Sequence, residues 1–284
     1  MHASRIVKAA QCLALLGATV SGLVAQPAPL PGRPIKVLML GHTADHHNAI
    51  ALYPLMAEPM ARMDIDVSMV LTPDEALRPE VLQNYDALIF YANHTTITPP
   101  QEKALLDFVE GGKGLVAVHC ASAMFGNSDK YIALVGGAFL RHGTGDFTAD
   151  IIAPDHPTMQ GIKPFTTWDE TYVHNKQNTV DRTVLMERVD AEGREPYTWV
   201  RTQGKGRVFY TAYGHDERTW SKPEFQKMLQ NAVQWVVDEP TRDNYQKYEA
   251  ALKVQAANRA ARAASGRGRG GAPVGATAPQ QTSH

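Results

Sequence analysis

Eleven histidines are spread along this chain, and their positions are more informative than their number. Many stand directly after an apolar run that reads as a strand. IKVLMLG is followed by His42, His46 and His47, ALIFY by Asn93 and His94, and LVAV by His119. Farther on come FLRHGTG with His142, DHP with His156, TTWDETYVHN with Asp169, Glu170 and His174, and AYGHDE with His215. In open parallel sheets, ligands bind beyond the carboxyl ends of the strands. Imidazoles and a carboxylate gathered there suit Zn or another first-row divalent ion. On this reading His47, His119, His142 and His215 are metal ligands. Glu170 is a general acid or base, or else a further ligand, and His119 shares the catalytic role. No compact HExxH or CxxC motif supports the set, so its convergence depends on the fold.

Each residue has a plainer reading beside it. A histidine after a strand is more often a cap or a surface residue than a ligand. His46 and His47 are neighbours whose side chains diverge at a helix start, so at most one of them enters the site. His156 precedes proline and reads as a turn residue; His42, His94 and His174 have no stronger claim. Asp169 and Glu170 lie between Trp168 and Tyr172, which suggests a half-buried place where a carboxylate needs a partner. In VAVHCAS (116–122), a strand runs into a histidine and a cysteine, the kind of corner on which α/β enzymes set a nucleophile. The register of the apolar strand puts His119 on the corner and turns Cys120 toward the interior, where a thiol is unreactive. No Gly-x-Cys-x-Gly elbow frames Cys120, so thiol-dependent amidotransferase or amidase chemistry is disfavoured.

The elements that must position these groups alternate. Strands are expected at 35–41, 65–71, 87–91 and 115–118, with helical patterns at 47–63 and after Thr98-Pro-Pro-Gln101, which reads as a capping box. Strands alternating with helices define a doubly wound, mostly parallel α/β fold. The second half is richer in β pattern: TADIIAP and TVLMERV read as strands, and YTWVRTQGKGRVFYTAYG as a hairpin turning at 204–206. Ser221-Lys-Pro-Glu224 is expected to cap an amphipathic helix ending near Glu239.

The chain of 284 residues is 44% hydrophobic and carries a formal net charge of −1. That suits one sizeable domain with an ample core and gives no electrostatic footprint for nucleic acid. A basic head, Arg5 and Lys8, precedes a short apolar run ending at Ala25, the order of an export signal. The run is short for a membrane span, so residues 1–25 are expected to be cleaved, leaving a periplasmic or secreted chain with no membrane attachment. Residues 26–34 form a proline-rich linker, 35–240 the domain, 241–265 a helical extension and 266–284 a low-complexity, disordered tail. After cleavage Cys120 is the sole cysteine, so no internal disulfide staples the domain.

GGKGLVAVHCAS, LVGGAFLRH, DHPTMQGI, WDETY, GRVFYTAYGHD and TWSKPEF, in that order, resemble the ThuA-like (trehalose-utilisation) family over roughly 35–239. The resemblance implies a flavodoxin-like fold of the class I glutamine amidotransferase type and a link to sugar metabolism around 3-keto derivatives of disaccharides. It places His47, His119, His142 (closing Phe-x-x-His), Glu170 (in Asp-Glu-x-Tyr) and His215 (in Gly-His-Asp) in the site. The corner that carries cysteine in amidotransferases carries His119 here. The resulting expectation is an exported, metal-assisted hydrolase, lyase or isomerase acting on a small carbohydrate such as a 3-keto-glycoside. Tyr172 and Trp220 would offer faces for sugar stacking, and Asp216 would bind substrate. The alternative is a non-catalytic carbohydrate-binding protein using the same pocket; a homo-oligomer is compatible with either. The export reading predicts that mass spectrometry of the exported protein finds an N-terminus near Gln26; an intact Met1 would refute cleavage.

Overall fold

The computed structural model describes residues 29–191 and 193–267. The expected leader (1–25), the start of the linker and tail residues 268–284 lie outside the described residues. In chain order, β1 (Ile35–Leu40) leads through α1 (Ala49–Ala61) to β2 (Ile65–Val70). Two short helices, α2 (Pro73–Ala76) and α3 (Pro79–Leu82), precede β3 (Ala87–Phe90), α4 (Pro99–Glu110) and β4 (Gly114–Val118). A 3₁₀ turn over His119–Ala123 opens into α5 (Asp129–Val135). The short strands β5 (Ala138–Arg141), β6 (Thr144–Phe147), β7 (Asp150–Ile151), β8 (Thr167–Glu170) and β9 (Val173–Asn175) follow. Then come β10 (Arg182–Asp190), β11 (Gly193–Gln203), β12 (Gly206–Thr211), α6 (Glu217–Trp220), α7 (Pro223–Val236) and α8 (Glu239–Arg267).

The main sheet has the order β2-β1-β3-β4-β12-β11-β10-β7. Its first five strands are mutually parallel, and the last three join by antiparallel pairing. β3 and β4 are buried along their whole length because helices cover both faces of the sheet, which is why they read as unbroken apolar runs. The crossovers β1-α1-β2 and β3-α4-β4 run in opposite directions, so their right-handed paths place α1 and α4 on opposite faces. α7 packs beside α1 and against β4 and β12. The strand order reverses between β1 and β3, and the loops after these two strands open the crevice where such sheets bind ligands. Two small antiparallel sheets, β5-β9 and β6-β8, form between α5 and β10. β5 touches the 3₁₀ turn that follows β4, which brings this insertion to the carboxyl edge of the main sheet.

Several expectations are refined. The strand read in TADIIAP shrinks to Asp150–Ile151. The capping Thr98 keeps its partner: the Gln101 side-chain oxygen accepts from the Thr98 N–H at 2.9 Å. Ser221 does not cap α7. It ends α6, and α7 starts from Lys222 without a side-chain cap, with Pro223 at its first position, where the missing N–H costs nothing. The stretch 241–265 lies within α8, whose first turns dock on the domain: the Tyr245 hydroxyl donates to the Met63 carbonyl at 2.6 Å. Among the described residues no helix is long and apolar enough to cross a membrane.

At the amino edge of the sheet, Asp86 ties four elements together. Its carboxylate accepts two bonds from the Arg33 guanidinium at 2.6 and 2.7 Å and one from the Lys36 N–H at 3.0 Å, with Lys113 Nζ at 3.5 Å and Thr241 Oγ1 at 3.3 Å. Burial pushes the Asp86 pKa up, but the Arg33 and Lys36 hydrogen bonds and the nearby charges outweigh it and hold the group below its ordinary value. A depressed folded-state pKa stabilises the protein above the unfolded value near 3.9, and that contribution is lost as pH falls through the folded value. Asp86→Asn is therefore expected to lower stability by about 2 kcal/mol at pH 7, with the difference from wild type shrinking in acid. Denaturant titrations at pH 7 and at pH 3 check this.

Candidate metal centre

Three histidines from three loops at the carboxyl edge meet one carboxylate from the insertion. His47 follows β1, His119 follows β4, His215 follows β12, and Glu170 ends β8. One ligand atom from each of the four lies within 4.8 Å of all the others. His47 Nε2 is 3.0 Å from His215 Nδ1 and 3.1 Å from His119 Nε2. Glu170 Oε2 is 3.2 Å from His119 Nε2 and 3.5 Å from His47 Nε2, while Oε1 is 3.2 Å from His215 Nδ1. Donor atoms around one tetrahedral ion at 2.0–2.1 Å are separated by roughly 3.3 Å. The group thus fits a single small divalent ion both in spacing and in donor type.

Local backbone explains how the side chains arrive. The chain leaves β4 at Val118 and turns sharply at His119, which holds a left-handed φ of 50° at the start of the 3₁₀ turn. His47 holds φ 51° just before Asn48, whose side chain caps α1 by accepting from the Ala51 N–H at 3.1 Å. Such conformations cost about 1–3 kcal/mol each in a non-glycine residue and persist only where surrounding contacts enforce them. His119 Nδ1 is 2.6 Å from the Ala212 carbonyl. A carbonyl only accepts, so the proton sits on Nδ1 and the Nε2 lone pair faces the centre.

His215 is held through Asp169. This fully buried carboxylate accepts from the N–H groups of Glu170 (2.8 Å), Gly214 (2.8 Å) and His215 (3.1 Å) and from Thr219 Oγ1 (2.6 Å). Gly214 itself has φ 131°, and a Cβ there would meet Val118 Cγ1 at 3.0 Å and His119 Cβ at 3.3 Å. Its carbonyl accepts from Tyr91 Oη and Trp220 Nε1, each at 2.8 Å. His42 joins the β1 and β3 loops: its Nδ1 accepts from the Asn93 N–H at 3.0 Å, so its Nε2–H donates to the His47 carbonyl at 2.9 Å.

The electrostatics follow the packing. Burial, with the neighbouring His119 and His215, lowers the His47 pKa to about 4 against the pull of Glu170, so this ring is neutral near pH 7. The hydrogen bond to Glu170 raises His215 above its ordinary value. Burial works to raise Glu170, but the surrounding imidazoles of His119, His215 and His47 overcome it and hold the group well below its ordinary value. A carboxylate and neutral imidazoles are the protonation states that ligate cations; His47 and Glu170 are held in them, whereas the raised His215 must give up any proton it carries when it ligates.

Not every expected residue joins the group. His142 stays outside it: on the turn between β5 and β6 it is 37% exposed, with Nε2 3.6 Å from Glu170 Oε1. It faces a cavity of about 330 Å³ lined also by His47, Phe139, Glu170 and Tyr172. Tyr172 is buried, with one ring face stacked on His119 at 4.2 Å and Phe139 packed at 4.6 Å, so it has no free face for a sugar. Trp220 is fully buried against Tyr91 and Phe225 and cannot stack on a ligand. Its indole instead supports the His215 loop. Asp216 lines a second cavity, about 420 Å³, with His47 and His215, but its carboxylate is engaged by the Arg218 N–H and guanidinium at the start of α6. His46 is exposed and lines both cavities. His156 caps its own 3₁₀ turn, His94 Nε2 bonds the Gly41 carbonyl at 3.0 Å, and His174 lies buried between Glu195 and Tyr210. The positioning roles of Asp169 and His42 were missed. For Asp169 the signal was a carboxylate between aromatics, which needs partners; for His42 it was only its place directly after a strand.

Fold and site together define a doubly wound α/β protein with a His₃Glu group at the carboxyl edge of its parallel strands. The family model described as "ThuA: Trehalose utilisation" matches residues 36–236. The chain belongs to this family, and thereby to carbohydrate utilisation in general. A ThuA-like protein from Bacteroides uniformis has the same fold, with a TM-score of 0.64 at 18% identity, covering 78% of this chain and 99% of that one. A second, from Parabacteroides merdae, gives 0.60 at 17% identity, covering 72% and 90%. At these identities the likeness concerns the fold alone. No curated protein matches the chain.

Cys120 is fully buried, and burial raises its thiol well above the ordinary value. The two corner residues are separated by the left-handed turn at His119 rather than by strand alternation. Native protein is therefore expected to resist thiol alkylation at Cys120, and Cys120→Ser to cost about 1 kcal/mol in stability while sparing ligand binding. Peptide mapping after alkylation of native and unfolded protein checks this; rapid native labelling at Cys120 would contradict it.

Proposed function

We propose that this ThuA-family protein is an exported, metal-dependent enzyme acting on a sugar or 3-keto-glycoside. The observation that carries the reading is the convergence of three imidazole nitrogens and one carboxylate oxygen within 4.8 Å. His47, His119, His215 and Glu170 would hold the ion, and their donor types suit Zn or another first-row divalent metal. Bound there, such an ion supplies Lewis-acid polarisation of a carbonyl or of vicinal hydroxyls. The chain's own residues do the rest. The Ala212 carbonyl orients His119, and Asp169 orients His215 and the end of β8. His142, partly exposed beside Glu170, is placed to exchange a proton with a ligand in the 330 Å³ cavity, while Phe139 and the edge of Tyr172 give that cavity apolar wall. The chemistry is a hydrolysis, an elimination or an isomerisation. Export is supported by the basic head and apolar run before Ala25.

Elemental analysis of purified protein should find about one divalent ion per chain, and incubation with 3-keto-disaccharides should give turnover that chelators abolish. His119→Ala is expected to keep the fold and lower metal occupancy or turnover at least about tenfold. Saturable sugar binding with neither metal nor turnover would sink the enzymatic reading in favour of a binding protein.

A further inference from the structure

Asn93 lies in the loop after β3 and walls the 330 Å³ cavity. Its side-chain nitrogen is 3.1 Å from His47 Nδ1, while its Oδ1 is buried without a hydrogen-bond partner among the described residues. An amide nitrogen only donates, so in this orientation His47 Nδ1 accepts and the ring proton sits on Nε2. That proton lies among the centre's own donor atoms, with His215 Nδ1 at 3.0 Å and His119 Nε2 at 3.1 Å; the His119 lone pair can accept it because His119 Nδ1–H is spent on the Ala212 carbonyl. The result is a hydrogen-bond chain from Asn93 through His47 into the centre. It also leaves a proton on one of the nitrogens that an ion needs.

A half-turn of the amide reverses this. Oδ1 then faces His47 Nδ1 and can only accept, the ring proton moves from Nε2 to Nδ1, and the Nε2 lone pair faces the centre. The two orientations are nearly isosteric. The backbone of Asn93 stays anchored through its N–H to His42. We propose that Asn93 is a positioning residue whose side-chain amide selects the tautomer of His47 and couples its own orientation to ion binding. The inference rests on the metal-dependent reading above. Partners on the far nitrogen of a ligating histidine commonly govern affinity by roughly 10–100-fold.

The test uses the full chain with Zn²⁺ as probe. Imidazole ¹⁵N NMR of wild type should show His47 protonated on Nε2 without the ion and on Nδ1 with it. By isothermal titration Asn93→Ala should bind Zn²⁺ roughly 10–100-fold more weakly. Asn93→Asp, which offers an acceptor in either orientation, should bind at least as tightly as wild type and hold His47 on Nδ1 even without the ion. Wild-type affinity in Asn93→Ala, or a His47 tautomer indifferent to the ion, would overturn the proposal while leaving the metal site standing. A wild type that takes up no Zn²⁺ would overturn both. Should Asn93→Ala fail to fold, the wild-type spectra alone decide.

Discussion

The buried Asp169 carboxylate is the interaction on which the centre depends. It sits where the insertion meets the main sheet and accepts from three backbone N–H groups and one hydroxyl. A buried charge is tolerated only when fully hydrogen-bonded, so these contacts leave little freedom to either side. One of them fixes the backbone of Glu170, and two fix the loop that carries His215. The remaining pair, His47 and His119, follows β1 and β4 of the same parallel sheet whose strand β12 leads to His215. Asp169 thus keeps two separately built parts of the fold in register, and the four donor groups meet because that register is set.

The corner after β4 is built for an imidazole. His119 occupies the strand-to-turn position with a left-handed backbone, the geometry that lifts a nucleophile clear of a sheet. Here the lifted side chain is an imidazole locked by a carbonyl behind it, and the adjacent thiol is sealed in the core. The strain at His119 and His47 is borne by a dense set of neighbours: Gly214 against the His119 Cβ, Tyr172 stacked on its ring, and His42 holding the carbonyl of His47.

The aromatic residues divide by the same logic. Trp220 and Tyr172 were natural candidates for sugar contact, since both stand beside site motifs. The structure spends them on support: Trp220 holds the Gly214 carbonyl and Tyr172 backs His119. Proximity in sequence to a ligand residue marks either a contact residue or a buttress, and only burial separates the two. His142 illustrates the converse. It lies near the centre, with Nε2 3.6 Å from Glu170 Oε1, but stays partly exposed on a hairpin turn.

By itself the sequence determined the alternating framework, because unbroken apolar runs ending in polar loops admit only strands covered on both faces. It also put histidines at the ends of those strands and a carboxylate between aromatics, and so named His47, His119, His215 and Glu170, with His142 beside them. What it lacked was distance. His47 and His215 are 168 residues apart, and no local periodicity encodes whether their rings meet. Tertiary structure decided that His142 stands aside, that Trp220 is sealed, and that Asp169 and His42 hold the others in place. The reason is physical: a donor set is defined by ångström-scale convergence of side chains from separate loops, and that convergence exists only once strand order and buried hydrogen bonds have fixed where each loop ends.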